Sequence, residues 1–469
     1  MTVDHLQEPE LEFGGGGRHV DVRFGLTAYG PLINDAPRAR RQIHVGIVGT
    51  NENVETLSGW LSKCAAGVPA KRSRQPNLFP AFPGFHHAFQ ADLIVGEDLC
   101  RSVGSATVER VIGPDHDASV QAAVDLVLNE CVALKERRAV DVIVCAVPPQ
   151  VAALQYIDRP GTSRLDFHDM LKARAMSIGV PIQLVLPQTY DHKVRRMQKA
   201  RTTRLRTQQD EATRAWNFFT ALYYKAGGTP WKLTRLGTRL LTCYVGISFF
   251  HTLDRSRLHS SMAQVFNELG DGVIVRGEPV RISKDDRIPH LDGIAASKLV
   301  TQALRQFVDE HHHPPARIIV HKTSAFNPDE IAGVQDGAAK HGVAHVEALS
   351  VSATTPIRLL RMGVYPPLRG TFLNLDAKTH VLYLKGSVDF FQTYPGGYIP
   401  RPVLFRCDHT EQTPKILGSE LLALSKMNWN DTQFDGGLPI TIGAADRVAS
   451  ILRYIRPGDH MMHRYSYYM

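Results

Sequence analysis

The sequence predicts an α/β protein in which helices cover parallel sheets. Two observations carry that expectation. Apolar, strand-like runs alternate with helical patterns along most of the chain, an order that produces parallel pairing. Runs such as Val142-Ile143-Val144-Cys145-Ala146-Val147 are apolar at every position, as in a strand buried on both faces. At 469 residues the chain exceeds one ordinary core, so the same alternation is expected to fold as two packed domains.

The elements follow in order. The first forty residues read as irregular, with a flexible Gly14–Gly17 run and punctuation at Pro31 and Pro37. Ile43 to Val48 reads as a strand, and Val54, Leu57, Trp60 and Leu61 are spaced for one face of a helix. Residues 65 to 90, rich in Pro, Phe and Gly, read as a long loop, and Leu93-Ile94-Val95 as a strand. Ser119 is placed to cap a helix running to about Arg138, with Val120, Ala123, Val124, Val127 and Leu128 inward. Strands at 142–147 and 184–186 complete this half. Leu240 to Phe250, Gly272 to Val275, Arg317 to His321 and Val381 to Leu384 read as strands of the second half. Helices are expected at 296–311, 419–427 and 444–454. His311-His312-His313 before Pro314-Pro315 reads as a solvated helix end rather than a metal site. The boundary falls near residue 230, after Gly227-Gly228-Thr229-Pro230.

Composition narrows the class. Hydrophobic residues make up 43% and charged residues 21%, values of a globular chain. The net charge of +8 and a pI near 9.1 favour a polyanionic partner. No apolar run reaches a bilayer span, and Asp4, Glu8, Glu10 and Glu12 do not suit a signal peptide. The six cysteines stand far apart with no Cys-x-x-Cys pair, which fits a reducing, cytoplasmic setting.

The densest functional signal lies between Pro187 and Leu233. Between Lys193 and Arg206 there are seven Lys/Arg and no acid. They follow the apolar stretch 181–187 and precede a helical pattern ending in Lys225-Ala226-Gly227-Gly228. Cations at a strand end beside a helix suit a phosphate-rich ligand. A Walker loop, a Gly-x-Ser-x-Gly elbow and a His-Glu-x-x-His helix are all missing from the sequence. Two-metal nuclease chemistry requires converging carboxylates. The strand Val245-Gly246-Ile247-Ser248 offers a hydroxyl, and Val320-His321-Lys322-Thr323 ends on another.

These strands, with Leu222 to Trp231, resemble an Argonaute, and specifically the short prokaryotic Argonautes that keep only MID and PIWI domains. Leu11-Glu12-Phe13-Gly14 with Gly25-Leu26-x-x-Tyr29-Gly30-Pro31 resembles the family's opening. Arg317 to Lys322 resembles a central PIWI strand, and Lys426-Met427-Asn428-Trp429-Asn430 with Leu438-Pro439-Ile440-Thr441 a late PIWI segment. The resemblance implies a Rossmann-like MID domain at 41–230 and an RNase H-like PIWI domain at 231–469, with 1–40 packed on the rest. It implies a pocket for the guide 5′ phosphate built from His192 with Lys193 or Arg196, from Gln208 or Gln209 (Gln198 being an alternative), and from Lys225. Met469 would contribute a terminal carboxylate to a Mg²⁺ at that phosphate.

The resemblance also implies what is missing. The first PIWI carboxylate position matches Ser248 and the second Thr323, while Asp446 matches the fourth. The expectation is therefore no slicing and no enzyme activity in this chain. The partners implied are a 5′-phosphorylated guide RNA, a single-stranded DNA target, and an APAZ-domain protein carrying a SIR2, TIR or nuclease effector for antiphage and antiplasmid defence. Arg361, Arg369, Lys385 and Arg401 read as phosphate contacts. One rival is an active RNase H-like nuclease using Asp285, Asp286 or Asp292 with Asp446. The other is a Rossmann-like nucleotide enzyme, with Gly46-Ile47-Val48-Gly49 as a poor Gly-rich turn.

Overall fold

A computed structural model describes residues 2–32, 42–154, 165–194, 209–234, 240–265, 272–282, 287–391, 394, 399–433, 436–456 and 458–469. They form two compact units. One comprises Leu26–Pro230 with Tyr454–Met462 and Ser466–Met469, and the other Met1–Gly25 with Trp231–Arg453 and His463–Tyr465. The division at Pro230/Trp231 lies at the boundary read from Gly227-Gly228. The ends differ from the division 1–40, 41–230 and 231–469. The first 25 residues join the second unit because strand β1 (Thr2–His5) pairs within its sheet. Most of the last sixteen join the first unit because Tyr454, Tyr467 and Met469 bond there.

The first unit holds a parallel sheet. Strands β2 (Gln42–Thr50), β3 (Asp92–Ile94), β4 (Cys100–Val103), β5 (Val142–Ala146) and β6 (Ile182–Val185) pair in the order β3-β2-β5-β6, with β4 also on β2. All five positions of β5 are buried, as its unbroken apolar run requires. Helix α1 (Asn51–Ala65) buries Leu57, Trp60, Leu61 and Cys64, and the Thr50 side chain caps it. Helix α2 (His116–Arg137) begins earlier than Ser119. Asp115 caps it, and Ser119 lies in the first turn donating to the Asp115 carbonyl. Helix α3 (Phe167–Ala175) packs with α2 over one face of the sheet. After the short helix α4 (Pro187–Tyr190) comes α5 (Glu211–Lys225), whose Phe219 stacks on Trp60 and Phe82 while Phe218 and Trp216 meet the same two rings edge to face.

The second unit is built on a ten-stranded mixed sheet. Its strands are β7 (Thr242–His251), β8 (Leu258–Val265), β9 (Gly272–Ile282), β10 (Arg317–Lys322), β11 (His345–Ser352), β12 (Thr371–Asn374), β13 (Thr379–Leu382) and β14 (Val403–His409). With β1 and the short strand Pro289–His290 they run in the order β1-β12-β13-β14-β11-β10-β7-β8-β9-(Pro289–His290). Only β7, β10 and β11 are mutually parallel. Alternation along β10 serves two cores. Ile318 and Val320 pack with helices α6 (Gly293–His311) and α7 (Pro328–Ala339), while Ile319 packs with α8 (Pro414–Leu424) and Ile442 of α9 (Ile440–Leu452). His312 closes α6 in the left-handed region at φ 61, so the histidine triplet forms a helix end. Gly246, in the middle of β7, has no room for a side chain: a Cβ there would lie 2.0 Å from the Thr441 carbonyl oxygen.

The opening segment is held by a buried charge network. Arg369 donates through Nε to both Glu8 carboxylate oxygens (3.1 and 2.8 Å), and through its other nitrogens to the Leu384 and Leu422 carbonyls and Ser425 Oγ. Lys426 pairs with Glu8 at 3.1 Å and donates to the Pro9 and Val20 carbonyls. Arg369 is 3% exposed, so its reading as a phosphate contact gives way to a structural role: all three guanidinium nitrogens are engaged within the fold.

Candidate nucleic-acid interface

In the first unit, the charged side chains buried among the described residues are all cations: Lys172, Arg214 and Lys225. A buried cation needs compensating oxygens, and the fold supplies carbonyls. Arg214 donates from Nε to Thr189 O and from Nη1 to Gln209 O, both at 2.9 Å. That ties the first turn of α5 to α4. Lys172 donates to Ile182 O at 2.5 Å and to a Met469 main-chain oxygen at 2.6 Å. Neither residue stood out in the sequence. Arg214 shares a helical stripe with Phe218 and Leu222, a spacing that marks an inward-facing charge.

The predicted phosphate residues fall at two ends of one helix. His192 and Lys193 lie on a helical turn after Asp191, whose Oδ1 accepts the Lys193 amide at 2.7 Å. His192 Nε2 stands 3.7 Å from Glu211 Oε1, which also takes Lys63 Nζ at 2.8 Å. Gln209 accepts from Asn217 Nδ2 at 3.3 Å in the same region. Lys225 is the last residue of α5, 5% exposed. Helix α5 is about 22 Å long at 1.5 Å per residue, so this arrangement does not bring Lys225 to His192. Arg196, Gln198 and Gln208 lie outside the described residues. The Gly-Gly after Lys225 has a steric basis. Gly227 takes φ 97, and a Cβ on Gly228 would meet the Tyr223 ring at 2.3 Å.

The Met469 oxygen faces an ammonium rather than a set of oxygen ligands. That donor set does not fit Mg²⁺, which requires several oxygens. Among the described residues, Asp166, His168 and Asp169 bring three ligand-type atoms within 4.8 Å. These groups already serve the fold: Asp166 accepts the Asp169 amide and His168 bonds Asp169.

In the second unit, two of the three positions matched to PIWI carboxylates are in contact, and register places the third at the end of the neighbouring strand. Ile247 of β7 pairs with Lys322 of β10, so Ser248 and Thr323 follow side by side. Ser248 Oγ donates to Asp446 Oδ1 on α9. Burial pushes the Asp446 carboxyl above the usual range, partly opposed by the Ser248 hydroxyl. The neighbouring buried charge is an ion pair and the neighbouring imidazole is neutral. Lys322 Nζ pairs with Glu330 Oε1 at 2.5 Å, fully inside. Burial, reinforced by Arg317, takes His321 down to about 3, leaving a neutral ring bonded to Thr441 Oγ1 at 2.8 Å. Asp292 of the rival set caps α6 by accepting the Ala295 amide. Asp285 and Asp286 lie outside the described residues.

A parallel five-stranded unit and a mixed ten-stranded unit match the MID and PIWI folds of Argonautes. An Argonaute from Clostridium butyricum bound to a guide DNA and a 19-mer target DNA superposes with a TM-score of 0.66 at 15% identity, covering 97% of this chain and 53% of that one. Drosophila Piwi gives 0.61 at 12%, covering 99% and 56%. A. aeolicus Argonaute gives 0.60 at 15%, covering 97% and 54%. The chain therefore spans about half the length of these structures. No family model and no curated protein matches it. No helix among the described residues is long and apolar enough to cross a membrane.

Proposed function

We propose that this chain is a guide-binding protein of the short Argonaute kind that recognises its target by base pairing and does not cut it. The observation that carries this reading is the fold likeness across both units to an Argonaute bound to guide and target. The net charge of +8 supports a polyanionic ligand. Of the predicted phosphate residues, Lys225 has the best support. It is buried at a helix C-terminus beside a Gly-Gly turn that admits no side chain. The guide is a 5′-phosphorylated RNA, the target single-stranded DNA, and the effector belongs to an APAZ-domain partner with a SIR2, TIR or nuclease module. Pairing with invading nucleic acid switches that partner on.

Inactivity in cutting rests on Ser248 and Thr323. A two-metal cut needs several carboxylates around the scissile phosphate. Here two of the matched positions carry hydroxyls, Ser248 and Thr323, and the one carboxylate, Asp446, already accepts a hydrogen bond from Ser248. With matched guide and target and added Mg²⁺ or Mn²⁺, no cleavage is expected, and Asp446→Ala should change nothing. Cleavage abolished by Asp446→Ala would overturn the reading in favour of a nuclease with displaced ligands.

The anchoring residue has its own test. Lys225→Met should weaken 5′-phosphorylated guides by roughly 1.5–3 kcal/mol, a charge-assisted contact, and spare 5′-hydroxyl guides. Titrating both guides against wild type and variant separates the outcomes. Equal losses for the two guides would remove Lys225 from the phosphate site.

A further inference from the structure

The loop between β11 and β12 is pinned from below and armed on its outer side. Ile357 and Leu359 pack on Val381 and Tyr383, and the Leu359 amide donates to the Tyr383 hydroxyl at 2.7 Å. Arg358 Nη1 donates to Thr355 O and Ile357 O, both at 2.6 Å, and Arg361 Nε to Tyr365 O at 3.2 Å. With its backbone so held, the loop turns Leu360, Met362 and Val364 outward at 80, 98 and 90% exposure. Scattered exposed aliphatics are ordinary, but three on one braced turn are not.

Charge identifies the occupant. From Ala348 to Leu375 the sequence has no acid; Leu360 stands between Arg358 and Arg361, and Met362 and Val364 follow directly after them. Topology adds more cations. The parallel strands β7, β10 and β11 end at one edge of the sheet, where Ser248 and Thr323 lie. The loop leaves from that edge. Because Ser352 pairs with Leu404 and Leu382 with Val403, Lys385 and Arg401 leave from it too. Exposed apolar side chains close to two arginines, at a cationic sheet edge, suit a nucleic-acid groove. Aliphatic wedges enter base steps there while arginines hold the flanking phosphates.

We infer that residues 358–365 form a wedge that docks into the guide–target duplex, Leu360, Met362 and Val364 against base edges and Arg358 and Arg361 on phosphates. The inference rests on the guide-binding reading above and adds the element that senses a paired target. A full-length protein loaded with a 5′-phosphorylated RNA guide would be titrated with complementary DNA carrying 2-aminopurine. Leu360→Ser/Met362→Ser/Val364→Ser should weaken target binding about tenfold, the size of a lost base contact. It should also abolish the wild-type fluorescence rise from unstacking, with guide loading within about twofold. Arg358→Gln/Arg361→Gln should lower the salt slope of target binding by about 2, one per lost phosphate contact.

Unchanged target affinity and fluorescence in the triple variant would overturn the wedge. If that variant instead lost a co-purifying protein, the loop would be a protein-docking face and the inference equally wrong. Wild-type protein that takes up no guide would refute the guide-binding reading itself. Normal uptake indifferent to both variants would refute the wedge alone.

Discussion

Gly246→Ala is expected to destabilise the ten-stranded unit by about 3 kcal/mol or more, at or beyond the top of the usual overpacking range. The added Cβ meets main-chain atoms: the Thr441 carbonyl oxygen at 2.0 Å and its carbon at 2.4 Å. A side chain can rotate away from such a contact, but the first turn of α9 cannot. Relief requires α9 to lift from β7, and α9 carries both Thr441, bonded to His321, and Asp446, bonded to Ser248. For a unit of this size the loss corresponds to roughly 6–12 °C in Tm. Ser248→Ala is the control. It removes one hydrogen bond and should cost about 1 kcal/mol. Thermal unfolding followed by circular dichroism checks both, and a Tm for Gly246→Ala equal to wild type would show that α9 is not held this close.

Arg369→Met should cost about 3–5 kcal/mol, the penalty for removing one partner of a buried charge network. Glu8 would keep Lys426 alone, and the Leu384 and Leu422 carbonyls would lose their donor. The loss should depend on pH. Burial pushes the Glu8 carboxyl up, but Arg369 and Lys426 outweigh it and hold it below 4.5. A carboxyl depressed in the folded state adds stability above its unfolded value, and that stability disappears as pH falls through the folded value. The variant should therefore trail wild type most above pH 4.5 and converge on it in stronger acid. A gap that widens on acidification would exclude this account of Glu8. Urea unfolding across pH 3 to 7 measures it.

The sequence made the fully apolar strands plain, because burial on both faces leaves no polar residue to confuse the period. Residues 142–147 and the apolar centre 318–320 are examples. It did not reveal Leu258–Val265, His345–Ser352 or Val403–His409, whose histidines, serines and arginine interrupt the pattern and whose pairing is set by distant partners. The α2 cap was misplaced by four residues because Asp115 and Ser119 are both good caps and only the backbone chooses. In the candidate site, Ser248 and Asp446 meet because Gly246 lets α9 close in, and the parallel register of β7 and β10 puts Thr323 at the end of the next strand, which spacing alone cannot show. The grouping of His192 with Lys225 assumed neighbours in space from neighbours in function. The intervening helix instead runs its full length between them. Lys172 and Arg214 were hidden because a single charge in a helical pattern is by default a surface residue.

Strand β1 also bears on the order in which the protein can mature on the ribosome. Asn374 Nδ2 reaches Thr2 Oγ1 across 372 positions. At bacterial-to-eukaryotic translation rates of about 5–20 residues per second, that partner emerges roughly 20–75 s after Thr2. Throughout that interval Thr2–His5 lacks Thr371–Asn374, the strand it pairs with, while residues 26–230 emerge and can collapse around their own parallel strands. The opening segment is thus a nascent-chain liability. Slowed elongation before codon 371 should lengthen its exposure to chaperones, and synthesis paused there should leave the first unit protease-resistant with the leading residues still cleavable.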